Sequence, residues 1–276
     1  MPIIRANDLD IAYEVVGAGP PLVLLHGATS LGREDFAAQL PLLSKVFRVH
    51  VPDARGHGGT RWDAADGFTC EWLVDDLEAF ADALGLHTFH LVGFSMGAMT
   101  ALQFAVRAPQ RVRTLIVIGI TTQREPRASV GRRLMDPERI LARDPQLMAQ
   151  LTRRHDPVQG VGAWQRLLPA IAADVAAQPL LTPSELHSID CPTMVVAGDR
   201  DPFVPVEAAA GLARQLPDGR LFIVPDAGHE VMVRRPGLFN EGMSGFYRAT
   251  EAEARKRAEA HPSFDPADPS PEGGST

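Results

Sequence analysis

The sequence predicts an α/β fold organised around a mostly parallel sheet, and three observations carry that expectation. Short apolar runs such as Leu22-Val23-Leu24-Leu25 and Thr193-Met194-Val195-Val196-Ala197 lack the in–out alternation of a one-sided strand, as strands covered on both faces do. Segments of helical length and composition, at about 34–43, 71–84 and 98–106, separate the early runs, which is the strand–helix alternation of parallel βαβ units. Turn-forming and reactive residues then cluster just after the strands, at Gly93-Phe94-Ser95-Met96-Gly97, at Gly198-Asp199-Arg200-Asp201-Pro202 and at Pro225-Asp226-Ala227-Gly228-His229. Open α/β sheets gather their sites at the carboxyl ends of the strands.

Each element follows from local pattern. Residues 10–16 alternate like a half-exposed antiparallel strand, and Gly17-Ala18-Gly19-Pro20 reads as a hairpin turn into the strand at 22–25. A helix over 34–43 leads to a strand at 47–51, and the amphipathic segment 71–84 stops at Gly85. Strand 89–92, helix 98–106 and strand 114–119 come next. Then the alternation ceases. Between 121 and 187 only helical pieces appear, at 136–142, 145–154 and 163–177, broken by prolines and glycines. Strands resume at 193–197 and 221–224. The expected organisation is a core of residues 1–120 and 188–248, a helical insertion at 121–187, and a mobile tail at 249–276 whose last part is rich in Pro, Ser and Gly.

Composition limits the function. The chain has 276 residues, 45% apolar and 22% charged, enough for one sizeable core. A formal net charge of −7 without a basic stripe argues against nucleic acid as a partner. No apolar run reaches the roughly 20 residues a membrane helix needs, and the first residues turn polar at once, unlike a signal peptide. Cys70 and Cys191 show neither metal-ligand nor disulfide spacing, so free thiols in a reducing cytoplasm are expected. The partner expected from this profile is a small-molecule substrate, with no metal and no cofactor.

The pentapeptide Gly93-Phe94-Ser95-Met96-Gly97 sits between a strand-like and a helix-like run. On such a turn a serine hydroxyl stands clear of the sheet, and the first N–H groups of the new helix point at any oxyanion forming there. That makes Ser95 a candidate nucleophile. A serine needs a base to take its proton, and histidine suits this at neutral pH; His229 follows a late strand. The histidine in turn needs a carboxylate to orient it, and Asp199, Asp201 and Asp226 are all available by position. The order Ser, Asp, His along the chain fits all three. His26, His57, His87 and His90 read as structural, and the polar stretch around Arg153-Arg154-His155-Asp156 reads as solvated surface.

Taken with Leu22-Val23-Leu24-Leu25-His26-Gly27-Ala28-Thr29 and Val51-Pro52-Asp53-Ala54-Arg55-Gly56-His57-Gly58-Gly59-Thr60, these motifs resemble the α/β-hydrolase superfamily from about residue 3 to 246. The resemblance implies an eight-stranded, mostly parallel sheet flanked by helices, with the 121–187 insertion as a small helical cap. It places the triad acid at Asp201, beside Ser95 and His229, and the oxyanion-hole N–H groups at Ala28 and Met96. Met135 and Trp164 are the cap residues expected to line the substrate pocket. Serine at the elbow, rather than aspartate, implies an acyl-enzyme route. The stretch 22–122 looks like that of enol-lactone hydrolases, so the activity implied is hydrolysis of a carboxylic ester or lactone of a small, largely apolar substrate. Carbon–carbon bond hydrolases, biosynthetic thioesterases or methylesterases, and ligand receptors on the same fold are the alternatives.

Overall fold

A computed structural model describes residues 1–260. Eight strands form one sheet: β1 Ile3–Ala6, β2 Leu9–Val16, β3 Pro21–Leu25, β4 Arg48–Pro52, β5 Phe89–Phe94, β6 Val112–Ile118, β7 Thr193–Gly198 and β8 Gly219–Val224. Their spatial order is β1-β2-β4-β3-β5-β6-β7-β8. β1 pairs with β2, and β2 with β4, antiparallel; all other pairs are parallel. The parallel strands are buried on both faces, which explains their unbroken apolar runs. Along β3, β5, β6 and β7, Val23, Leu91, Leu115 and Val195 face one core, while Leu22, Val92, Ile116 and Val196 face the other.

Twelve helices surround or cap the sheet: α1 Gly32–Asp35, α2 Leu40–Leu43, α3 Cys70–Ala83, α4 Met96–Arg107, α5 Arg127–Leu134, α6 Pro137–Arg143, α7 Pro145–Gln159, α8 Trp164–Ala177, α9 Pro183–His187, α10 Val206–Gln215, α11 Val231–Arg234 and α12 Pro236–Ala260. α3, α4 and α10 cover one face through residues such as Leu77, Leu102 and Leu212. Phe36 at the end of α1, Leu43 of α2, and Phe239 and Met243 of α12 cover the other. Thr69 caps α3 by accepting the Trp72 N–H, and Asp136 and Asp144 cap α6 and α7 in the same way.

Several expectations change in three dimensions. Residues 17–20 do not close a hairpin, because β4 lies between β2 and β3 and pairs with both. The single helix expected at 34–43 is two short helices; Pro41 has no N–H to continue the ladder across them. The tail expected to be mobile from 249 is instead helical through Ala260, since residues 249–260 consist mostly of Ala, Glu, Arg and Lys, strong helix formers. The remainder of that expected tail, 261–276, lies outside the described residues. Within the 121–187 insertion, Met135 and the helices α6 through α8 share a cluster around Leu151, Leu168 and Ile171. α9, by contrast, sends Leu186 into the main core. No helix among the described residues is long and apolar enough to cross a membrane.

Candidate active site

The turn from β5 into α4 is set by close packing. A Cβ on Gly93 would collide with the Gly97 carbonyl oxygen, and one on Gly97 with the Leu25 carbonyl of β3. Both glycines are therefore required for α4 to approach the sheet so tightly. Between them Ser95 adopts φ 51°, ψ −107°, a region that L-residues rarely occupy and that costs about 1–3 kcal/mol. Its own N–H is held by Ile118 O of β6 at 2.8 Å.

The strained turn presents Ser95 Oγ to His229 Nε2 at 2.9 Å, and His229 Nδ1 lies 2.8 Å from Asp201 Oδ2. An ionised carboxylate can only accept, so Nδ1 carries the ring proton and the Nε2 lone pair faces the serine hydroxyl. The side chain of Asp201 is fully buried. Its second oxygen, Oδ1, accepts the N–H groups of Phe203 and Val204 at 2.8 and 3.3 Å, leaving Oδ2 to the histidine. Phe94 and Phe203 pack on the His229 ring. Gly119, at φ +64°, leaves the room that this ring occupies; any Cβ there would press on Cε1.

The other two acids have different partners. Asp199 is exposed and accepts the Ala227 N–H at 3.1 Å, an interaction that holds its carboxyl below the usual range. Asp226 sits at φ 54° in the turn and pairs with Arg200 and Arg235 at the surface. Of the three carboxylates, Asp201 meets His229.

The loop after β3 is fixed by groups that sequence reasoning placed elsewhere or missed. His26 Nε2 accepts the Ala54 N–H at 2.9 Å, so its Nδ1–H donates to Gly27 O at 2.8 Å. That bond orients the Gly27–Ala28 peptide, whose N–H points away from its carbonyl. Asp35 accepts the Gly27 N–H at 2.9 Å. Burial pushes the Asp35 carboxyl up to about 6, and no feature of the sequence marked it. Arg154 donates to Thr29 O at 2.7 Å and pairs with Glu34. His155 beside it is fully buried in α7, with its ring against His57. The expectation of a solvated loop at 153–156 holds for Arg153, which is exposed, but not for its neighbours: the segment is helical, and Arg154 and His155 lie on the side of α7 that packs down on the core loops. An amphipathic reading of 145–159 as one helix could have found this.

Above Ser95 lies a cavity of about 600 Å³ whose lining includes Ala28, Met96, His229 and, from the insertion, Met135. Leu73, Met99, Leu147 and Ile171 give it apolar walls. Trp164 is not part of it. At 1% exposed it fills the core between the helices of the insertion, with Leu151, Leu167 and Leu168. Its place at the start of α8 turns it inward, away from the cavity. Arg127 and Asp174, which sequence reasoning did not single out, line the cavity as well.

Comparison with known proteins identifies the family. Residues 22–241 match the model of the alpha/beta hydrolase family. The chain is 31% identical to the pimeloyl-[acyl-carrier protein] methyl ester esterase of Nitrosomonas europaea, covering 83% of this chain and 96% of that one. It is 30% identical to a 2-hydroxy-6-oxononadienedioate/2-hydroxy-6-oxononatrienedioate hydrolase of Pseudomonas putida, with 86% and 92% covered. Among solved structures, Est816, described as an N-acyl homoserine lactone degrading enzyme, superposes with a TM-score of 0.73 at 29% identity, covering 89% of this chain and all of that one.

Proposed function

The chain belongs to the alpha/beta hydrolase family and is a hydrolase, and from that premise we propose that it cleaves a carboxylic ester or lactone of a small substrate by acyl transfer to Ser95. The hydrogen-bonded line from Asp201 through His229 to Ser95 is the observation that carries this reading. In it, His229 removes the Ser95 proton as Oγ attacks the carbonyl carbon. Asp201 holds the ring tautomer and stabilises the imidazolium that forms. The developing oxyanion is received by the N–H of Met96, first of α4 and without an intrahelical acceptor, and by that of Ala28 on the peptide that His26 orients. His229 returns its proton to the departing alkoxide. A water molecule, deprotonated by the same ring, then releases the acid.

The named activities of the Nitrosomonas relative and of Est816, on a methyl ester and on a lactone, support the bond type. The Pseudomonas relative, a dienedioate hydrolase by name, keeps carbon–carbon bond cleavage in view through the same residues. Two free, buried thiols fit a reducing compartment, the cytoplasm.

Ser95→Ala should abolish turnover on a panel of p-nitrophenyl esters, lactones and a vinylogous diketone while leaving the unfolding midpoint within a few degrees. A fluorophosphonate probe should label Ser95 alone in the native enzyme. Activity retained within tenfold, or labelling at another serine, would remove Ser95 from the mechanism. Stoichiometric binding without turnover across the panel would favour a receptor.

A further inference from the structure

Arg127, the first residue of α5, lines the cavity that holds Ser95, yet it is only 6% exposed. Its Nε and Nη2 have no hydrogen-bond partner, and among the described residues no carboxylate lies within ion-pair distance of it. A buried guanidinium is costly unless a hydrogen-bonded anion compensates it. The same protein shows how that is normally done. Arg55, equally buried, presents the same Nε/Nη2 edge to Asp76 and makes two bonds of 2.7 Å. Arg127 has that edge and no Asp76.

Nearby groups do not fill the vacancy. The charge of Asp174 reaches Arg127, but no ion pair joins the two, and burial raises the Asp174 carboxyl above its ordinary value. Arg124 carries the same sign as Arg127 and is committed to the carbonyls of Ala176 and Gln178. Burial accordingly pulls the Arg127 guanidinium below its ordinary value, against the pull of Asp174. Gln178, also lining the cavity, is buried with Oε1 unpartnered. Rotating its amide by half a turn would present an N–H at the same wall.

We infer that Arg127 is the carboxylate-binding residue of this cavity, and that the substrate is an ester or lactone bearing a carboxylate away from the bond that is cleaved. The inference rests on the serine-hydrolase reading above and refines it. A planar guanidinium accepts a carboxylate through two parallel N–H bonds. The apolar walls of Leu73, Met99 and Ile171 suit the hydrocarbon between the two ends, and the other arginines of the lining, Arg139, Arg143 and Arg234, are exposed to solvent, unlike Arg127. One end of the substrate would be anchored by charge and the other exposed to the nucleophile, so binding also fixes which carbonyl is attacked.

The test compares the mono-p-nitrophenyl ester of adipic acid with p-nitrophenyl hexanoate, which matches its chain length without the charge. The native enzyme should favour the hemiester in kcat/KM. Arg127→Met should reduce kcat/KM for the hemiester by about ten- to a hundredfold more than for the hexanoate, mainly through KM. Free adipate should inhibit the native enzyme competitively and lose that effect in the variant. Arg127→Lys keeps a charge without the planar edge, and should fall between the two, which also covers the case in which the methionine variant fails to fold. Equal losses on both esters, or no inhibition by adipate, with Ser95 still labelled by the fluorophosphonate, would overturn the role of Arg127 alone. Failure of the labelling itself would instead remove the serine-hydrolase reading.

Discussion

Asp201 differs from its acidic neighbours in where its oxygens go. One is saturated by the Phe203 and Val204 N–H groups and the other meets His229, so the carboxylate is held in a fixed direction. Asp201→Asn keeps the shape and loses the ability to accept from the ring on both faces, favouring the wrong histidine tautomer. Turnover should fall by about 10³–10⁴ with the fold intact. Asp199 and Asp226 bond a loop N–H and surface arginines, so changing either to Asn should alter turnover by no more than about tenfold, because exposed pairs contribute little. Steady-state kinetics of the three variants decide the matter, and a crippling Asp226→Asn would mean that the acid is misplaced.

At the scale of elements, the helices between β6 and β7 divide their large side chains between two tasks. Trp164 is buried among Leu151, Leu167 and Leu168, whereas Met135 reaches the cavity above Ser95. Trp164→Ala should therefore lower stability by about 3–5 kcal/mol, the usual cost of emptying a large aromatic site, measured by urea unfolding. Met135→Ala should chiefly change the ratio of rates for short and long acyl chains. A Trp164→Ala enzyme of native stability with an altered chain-length preference would reverse the two assignments. α7 acts differently again, since Arg154 fastens it to Thr29 and Glu34. The helix thereby braces the loop that carries Ala28.

For the whole molecule, three histidines from distant segments meet ring to ring. His26, His57 and His155 meet tilted and edge-on at centroid distances of 4.8 and 5.2 Å, joining the β3 loop, the turn after β4 and α7. Burial lowers His26 and His57 to about 4 and His155 to about 2, with the rings and Arg154 opposing one another's protonation. The unfolded chain takes up protons near pH 6.5 and the folded one does not, so their contribution is whole above that pH and is lost as pH falls. By pH 5.5 each should remove about 1 kcal/mol of stability. Asp35 acts in the opposite sense: its carboxyl, raised to about 6, contributes stability at low pH that is lost as pH rises through that value, and so offsets part of the slope. Unfolding free energies between pH 7.5 and 5.5 should show the net decline, and His155→Phe should flatten it by about one histidine's share. A profile independent of pH would contradict the buried cluster.

Local pattern alone determined the parallel strands, the strand–turn–helix around Ser95, the order of serine, acid and histidine and the site of the helical insertion, because apolar period, turn glycines and chain order are properties of neighbouring residues. Which acid faces the histidine followed from family resemblance, and its geometry from the fold of the loop at 201–204. Only the tertiary structure decided the rest. β1, only four residues long, forms by pairing with β2, which supplies what its own sequence lacks. Trp164, Asp35 and Arg127 carry no mark of their environment; an aromatic, a carboxylate and a guanidinium look alike in sequence whether buried or exposed. Burial is conferred by segments far away in the chain, and it is burial that turned Trp164 into core, Asp35 into a brace for Gly27, and Arg127 into a charge awaiting its partner.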